Sequence, residues 1–69
     1  MDRSRVASSS IVSVGYDPEA SVLEVEFQGN RVYQYLDVPP EEFDALMEAD
    51  SKGRFVNGVI KPAHPYRAA

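Results

Sequence analysis

Two stretches of this chain bring together residue types that could do chemistry. In Arg31-Val32-Tyr33-Gln34-Tyr35 two tyrosines stand at i and i+2. In a strand their rings would lie side by side on one face, as in sheet-based proteins that stack aromatics on unpaired RNA bases. In Ser51-Lys52-Gly53-Arg54 a hydroxyl and two cations meet the free N–H groups of a helix start, which makes an anion site. Asn57, one to two turns on, would add a directional hydrogen bond, and Lys61 a further phosphate contact. Each stretch also has a plainer explanation. Tyrosines are ordinary strand residues, and Glu24 and Glu26, expected opposite Tyr33 and Tyr35, would repel phosphate. A capped, solvated helix start with a close-packing glycine accounts for Ser51 to Arg54 equally well, and its spacing is not that of a P-loop.

Catalytic chemistry finds less support. His64 is the only histidine and lies between Ala63 and Pro65, where it is expected to be exposed. There is no second histidine for a metal pair and no cysteine for a thiolate. Ser8, Ser9 and Ser10 precede a strand with no base near them in sequence, and the carboxylates after Pro40 form a solvated charge run. No catalytic residue, metal site or cofactor is assigned, and the chain reads as a non-enzyme.

The 69 residues fit one small domain, and a chain of this size buries only about 60% of its unfolded surface. It must use nearly all its large apolar residues in one core or find a partner, so a homodimer stands beside the monomer as an expectation. Absent cysteine, a polar start without a signal-peptide core and the lack of any membrane-length apolar run point to a cytoplasmic protein with no membrane partner. The net charge of −4 argues against general nucleic-acid affinity. The charge is nevertheless segregated. From Asp37 to Asp50 every charge is acidic, whereas from Ser51 onward Lys52, Arg54, Lys61 and Arg67 are basic.

These groups need elements to hold them. Ser10 to Tyr16 is rich in β-branched residues and ends at Asp17-Pro18, a turn signal. Ser21 to Phe27 alternates apolar and acidic residues with the period of a half-buried strand. Gly29-Asn30 suits a two-residue hairpin loop. That loop pairs Phe27 with Val32, Val25 with Gln34 and Leu23 with Leu36, while a four-residue first hairpin aligns Val14 with Leu23 and Val12 with Val25. The core face then reads Val12, Val14, Leu23, Val25, Phe27, Val32 and Leu36, and Tyr33 and Tyr35 fall on the reverse with Ile11, Ser13, Gly15, Val22, Glu24 and Glu26. Pro40 opens a helix whose Phe43, Leu46 and Met47 cover the core. Ser51 caps a second, shorter helix through Ile60, with Phe55/Val59 and Val56/Ile60 as its buried stripe, ended by Pro62. The fold class is α+β: a three-stranded antiparallel meander followed by two short C-terminal helices packed on one face.

The order of these features resembles a known family. Ser9-Ser10 with Val14-Gly15-Tyr16-Asp17-Pro18, Leu23-Glu24-Val25-Glu26-Phe27, Val32-Tyr33-Gln34-Tyr35, Val38-Pro39 and Ser51-Lys52-Gly53-Arg54-Phe55-x-Asn57 is similar to the KTSC domain. That domain occurs at the C-terminus of some lysyl-tRNA synthetases and as free-standing bacterial and phage proteins with a central Tyr-x-Tyr. The chain departs from the family pattern in its tail, where His64-Pro65-Tyr66 stands in for a Tyr-Pro element. The resemblance covers about Ser9 to Ile60, within a domain taken as residues 9–62; the polar stretch 1–8, without apolar periodicity, is expected to be a flexible arm, and 63–69, after Pro62, an irregular tail that Tyr66 would tether. The resemblance assigns no catalytic residues, and RNA is the ligand its synthetase context suggests.

The expectation is a non-catalytic binding module with RNA as leading partner, through stacking on Tyr33 and Tyr35 and phosphate contacts from Lys52, Arg54, Lys61 and the N–H groups after Ser51. The alternatives are a protein-interaction module, self-association included, and a binder of a small phosphorylated ligand at Ser51 to Arg54.

Overall fold

In a computed structural model, which describes residues 3–69, the chain folds as one antiparallel sheet with helices on one face. Met1 and Asp2, the start of the expected arm, lie outside the described residues. The sheet is built from β1 (Ser4–Arg5), β2 (Ile11–Asp17), β3 (Val22–Phe27), β4 (Arg31–Tyr35) and β5 (Tyr66–Ala68), in that spatial order. The central meander is the one expected. The sheet has five strands rather than three because β1 comes from the stretch read as an arm and β5 from the stretch read as a tail. Strands of two and three residues carry no periodic signal; they exist by pairing to β2 and β4, with Ser4 opposite Val14 and Tyr66 opposite Tyr35.

Local turn chemistry sets the registers. Asp17 Oδ1 accepts from the N–H groups of Glu19 (3.0 Å) and Ala20 (3.3 Å). Because Asp17 still pairs with Val22, the loop is 18–21 and closes through Ser21 at φ +57°. Val14 therefore faces Val25 rather than Leu23, a shift of two residues that keeps both on the core side. Between Ile11 and Ser13 the ladder skips a residue, and this bulge at Val12 turns Ile11, not Val12, into the core.

The second hairpin carries the larger correction. Gly29 (φ +89°) and Asn30 (φ +61°) are both left-handed, as the sequence demands. Gln28 also belongs to the loop, however, so Phe27 pairs with Arg31, Val25 with Tyr33 and Leu23 with Tyr35. A slip of one residue moves every β4 side chain to the other face. Tyr33 and Tyr35 thus lie on the helix side, and Val32 and Gln34 on the reverse. Tyr35, at 1% exposure, is a central core residue.

The helical layer begins with α1 (Pro40–Glu48), which has proline in its first turn followed by Glu41 and Glu42 at the positive end of its dipole. It buries Leu46 and stacks Phe43 on Tyr16, centroids 4.9 Å apart, while Met47 is partly exposed. The Tyr16 hydroxyl donates to the Val38 carbonyl and ties β2 to the segment that enters α1. Residues 52–63 form one helical run: α2 (Lys52–Phe55), a π-helical turn (Val56–Ile60) and α3 (Lys61–Ala63). The run passes through Pro62 instead of ending there. Widening to a π turn, with the Lys61 N–H donating to the Val56 carbonyl, makes room where the proline ring would press on the Gly58 carbonyl. Val56 and Ile60 are buried as expected, but the wide turn rotates Val59 out to 41% exposure.

Nine residues close the core: Ile11, Val14, Leu23, Val25, Tyr35, Val38, Leu46, Val56 and Ile60. Burial of each large apolar side chain contributes about 1.5–3 kcal/mol. The opposite sheet face is a polar lattice. Arg3 contacts Glu24 (3.4 Å) and Glu26 (3.7 Å), Ser13 donates to Glu26 (2.9 Å), Gln34 donates to Glu24 (2.9 Å) and Arg67 donates to Gln34 (2.8 Å). No helix among the described residues is long and apolar enough to cross a membrane.

Candidate ligand cleft

The register that takes Tyr33 and Tyr35 off the reverse face places them beside Lys61. Phe27 and Arg31 on the second hairpin, Tyr33 and Tyr35 on β4, Tyr66 on β5 and Lys61 at the end of the π turn line a half-open cleft of about 410 Å³. Pairing makes this arrangement: Tyr66 lies opposite Tyr35, and Arg31 opposite Phe27. The rings touch in series. Phe27 and Tyr33 meet edge to face at 5.8 Å, Tyr33 and Tyr66 at 5.2 Å, and Tyr35 lies tilted against Tyr66 at 5.9 Å. Such contacts add about 0.5–1.5 kcal/mol each beyond area burial and hold the walls in place.

Burial and the neighbouring hydroxyls of Tyr66 and Tyr33 raise the pKa of Tyr35 above its ordinary value, so it stays a neutral phenol in any ordinary buffer. The cleft's charge is therefore that of Arg31 and Lys61. Both are exposed, neither makes an ion pair among the described residues, and no carboxylate lines the cleft. Glu24 and Glu26, expected opposite the tyrosines, lie on the other side of the sheet within the Arg3 lattice.

The second predicted site takes a different form. Ser51 caps as expected, its Oγ accepting from the Arg54 N–H (3.3 Å). Lys52 Nζ donates to the Ala49 carbonyl (2.9 Å) at the end of α1, so it closes a helix terminus. Gly53 is buried where a Cβ would overlap the Ser10 hydroxyl, and Ser8 Oγ accepts from the N–H groups of Ser10 and Ile11 (both 3.3 Å) at the entry to β2. Arg54 and Asn57 are exposed on the rim of a polar cleft of about 390 Å³ between this helix start and the Ser8–Ser10 stretch. The two clefts share no lining residue: Lys61 lines the first, and Lys52 the second. Tyr33 and Tyr35 therefore share a site with Lys61, and not with Ser51, Lys52, Gly53, Arg54 or Asn57.

His64 corrects another expectation. Its side chain is only 8% exposed and its Nε2 lies 3.0 Å from Glu42 Oε1, joining the end of the helical run to α1. No group of three or more His, Asp or Glu residues is placed to hold a metal among the described residues. Sequence reasoning missed Phe27, Arg31 and Tyr66 as cleft residues. A three-residue loop at Gln28-Gly29-Asn30 would have placed Phe27 and Arg31 with Tyr33, whereas Tyr66 depends on a strand too short to announce itself.

The model of the KTSC domain matches residues 7–66. The chain belongs to the KTSC domain family. A crystal structure of a KTSC domain protein from Yersinia pestis has the same fold, with a TM-score of 0.94 and 46% identity, over 99% of this chain and 96% of that one. An uncharacterised protein of Stutzerimonas stutzeri is 55% identical over 93% of this chain and 90% of its own length. A KTSC-like stretch also occurs in a lysine–tRNA ligase of Nostoc punctiforme, 38% identical over 77% of this chain and 9% of the ligase.

Proposed function

We propose that this KTSC protein is a non-catalytic module that binds RNA in the Phe27, Arg31, Tyr33, Tyr66, Lys61 cleft. The observation that carries the reading is the pairing of exposed aromatic surface with two cations that, among the described residues, have no ion-pair partner and no acid beside them in the lining. Aromatic rings accept bases and cations accept the backbone, and that combination recurs in proteins that hold single strands. The occurrence of a similar stretch in a tRNA ligase supports the same class of partner. Net acidity does not oppose it, because none of the α1 acids is among the residues that line the cleft.

The test is an amide chemical-shift titration at low salt with a random single-stranded RNA pool. Signals of Arg31, Tyr33, Lys61 and Tyr66 are expected to move and to return as salt is added; no movement with RNA removes the reading. The three-residue β5, which ends the sheet as an exposed edge, favours a second reading in which a protein partner or a second copy adds a strand there. Salt-insensitive self-association or capture of one defined protein would support that reading.

A further inference from the structure

Resting on the RNA reading, we propose that the cleft holds a single unpaired nucleotide, its base against Tyr66 and one flanking phosphate between Arg31 and Lys61, without selecting the base. The rings set the number. Tyr35 is sealed into the core, and Tyr33 is held nearly perpendicular to Tyr66 (84°) with Phe27 on its other flank (60°). Tyr66, at 60% exposure, is the one lining ring with most of its surface open. One platform takes one base. The cleft, at about 410 Å³, sits near the lower end of ligand-site volumes, about 300–1,000 Å³, which suits a nucleotide and not a folded loop.

The same lining sets what is not selected. A base inside a duplex has both faces occupied, so Tyr66 is available only to an unpaired one. Among the described residues no Asn, Gln, Asp or Glu side chain lines the cleft to read a base edge, and stacking uses a π-face that every base has. One neutralised phosphate also fixes the electrostatics: at about 0.7 ions released per phosphate on a single strand, log affinity should fall with log salt at a slope of about −0.7.

The experiment uses the intact protein and five probes followed by amide shifts: uridine dinucleotide carrying a 5′-phosphate, octauridylate, octaadenylate, a blunt RNA duplex and inorganic phosphate. The dinucleotide and both octamers should move Arg31, Tyr33, Lys61 and Tyr66, with affinities per nucleotide within about tenfold of one another, as sequence-tolerant stacking requires. The duplex should leave Tyr66 unmoved, and phosphate should move at most Arg31 and Lys61. Tyr66→Ala should weaken octauridylate roughly 5- to 150-fold, the equivalent of one stacked base, while Tyr66→Phe binds as the parent does. More than tenfold gain per nucleotide from dinucleotide to octamer, duplex binding equal to single strand, or phosphate reproducing the whole shift pattern would each overturn the single-nucleotide site. Of these, the first two leave RNA binding in place, whereas silence with every RNA removes both the site and the RNA reading.

Discussion

Replacing Tyr35 with alanine would empty the centre of the core, a change that costs about 3–5 kcal/mol for large aromatic side chains. An exposed strand tyrosine would cost within about 0.5 kcal/mol. Urea unfolding separates the two, and a near-neutral Tyr35→Ala would contradict the observed register. Burial, with Tyr66 and Tyr33 adding, also holds the Tyr35 pKa above 10.0. As pH rises the unfolded chain releases the phenolic proton first. It then binds fewer protons than the native state, and stability falls with pH. The contribution is full below the ordinary tyrosine value and is lost as pH climbs through the raised native one. Urea midpoints measured from about pH 8 to about pH 11, across the ordinary tyrosine pKa, should decline for the parent and decline less for Tyr35→Phe.

At the scale of elements, the turn and the π segment make opposite demands on glycine. Gly29, at φ +89°, should lose about 1–2 kcal/mol as alanine, the cost of left-handed backbone for an L-residue. Gly58 is exposed, is not left-handed and has open space where a Cβ would stand. Gly58→Ala should therefore gain about 0.5–1 kcal/mol. Both are read as shifts of the urea midpoint at constant m, and a stabilised Gly29→Ala would contradict the hairpin geometry. The His64 and Glu42 pair joins the helical run to α1, and a double-mutant cycle should return about 0.2–1 kcal/mol for a partly exposed pair. Elements with strong local signals were legible in the sequence: the alternation of Val22 to Phe27, Pro40 opening α1, Ser51 capping the next helix. What was not legible depended on a single residue of loop length or on pairing. Gln28 decided the face of Tyr33 and Tyr35, and nothing local to Ser4–Arg5 or Tyr66–Ala68 marks them as strands.

For the whole molecule, stability of roughly 0.05–0.15 kcal/mol per residue leaves a domain of this size about 3–10 kcal/mol in total. The core therefore has little to spare, and the groups available for binding are those it does not use. That sorts the predicted site residues. Tyr35 belongs to packing, while Ser51, Lys52 and Gly53 hold helix ends and a close approach; Tyr33 and Lys61 remain at an open surface, joined by Phe27, Arg31 and Tyr66. Residue types alone marked Tyr33 and Lys61, but only the three-dimensional pairing puts them in one place. The most direct test is fluorescence anisotropy of a labelled single-stranded RNA octamer, comparing the parent with Arg31→Gln/Lys61→Gln, with amide spectra confirming that both are folded. Loss of two charge-assisted contacts, worth about 1.5–3 kcal/mol each, should weaken binding by at least about a hundredfold and flatten its salt dependence. A folded double variant that binds with the parent's affinity and salt slope would contradict an RNA site in this cleft.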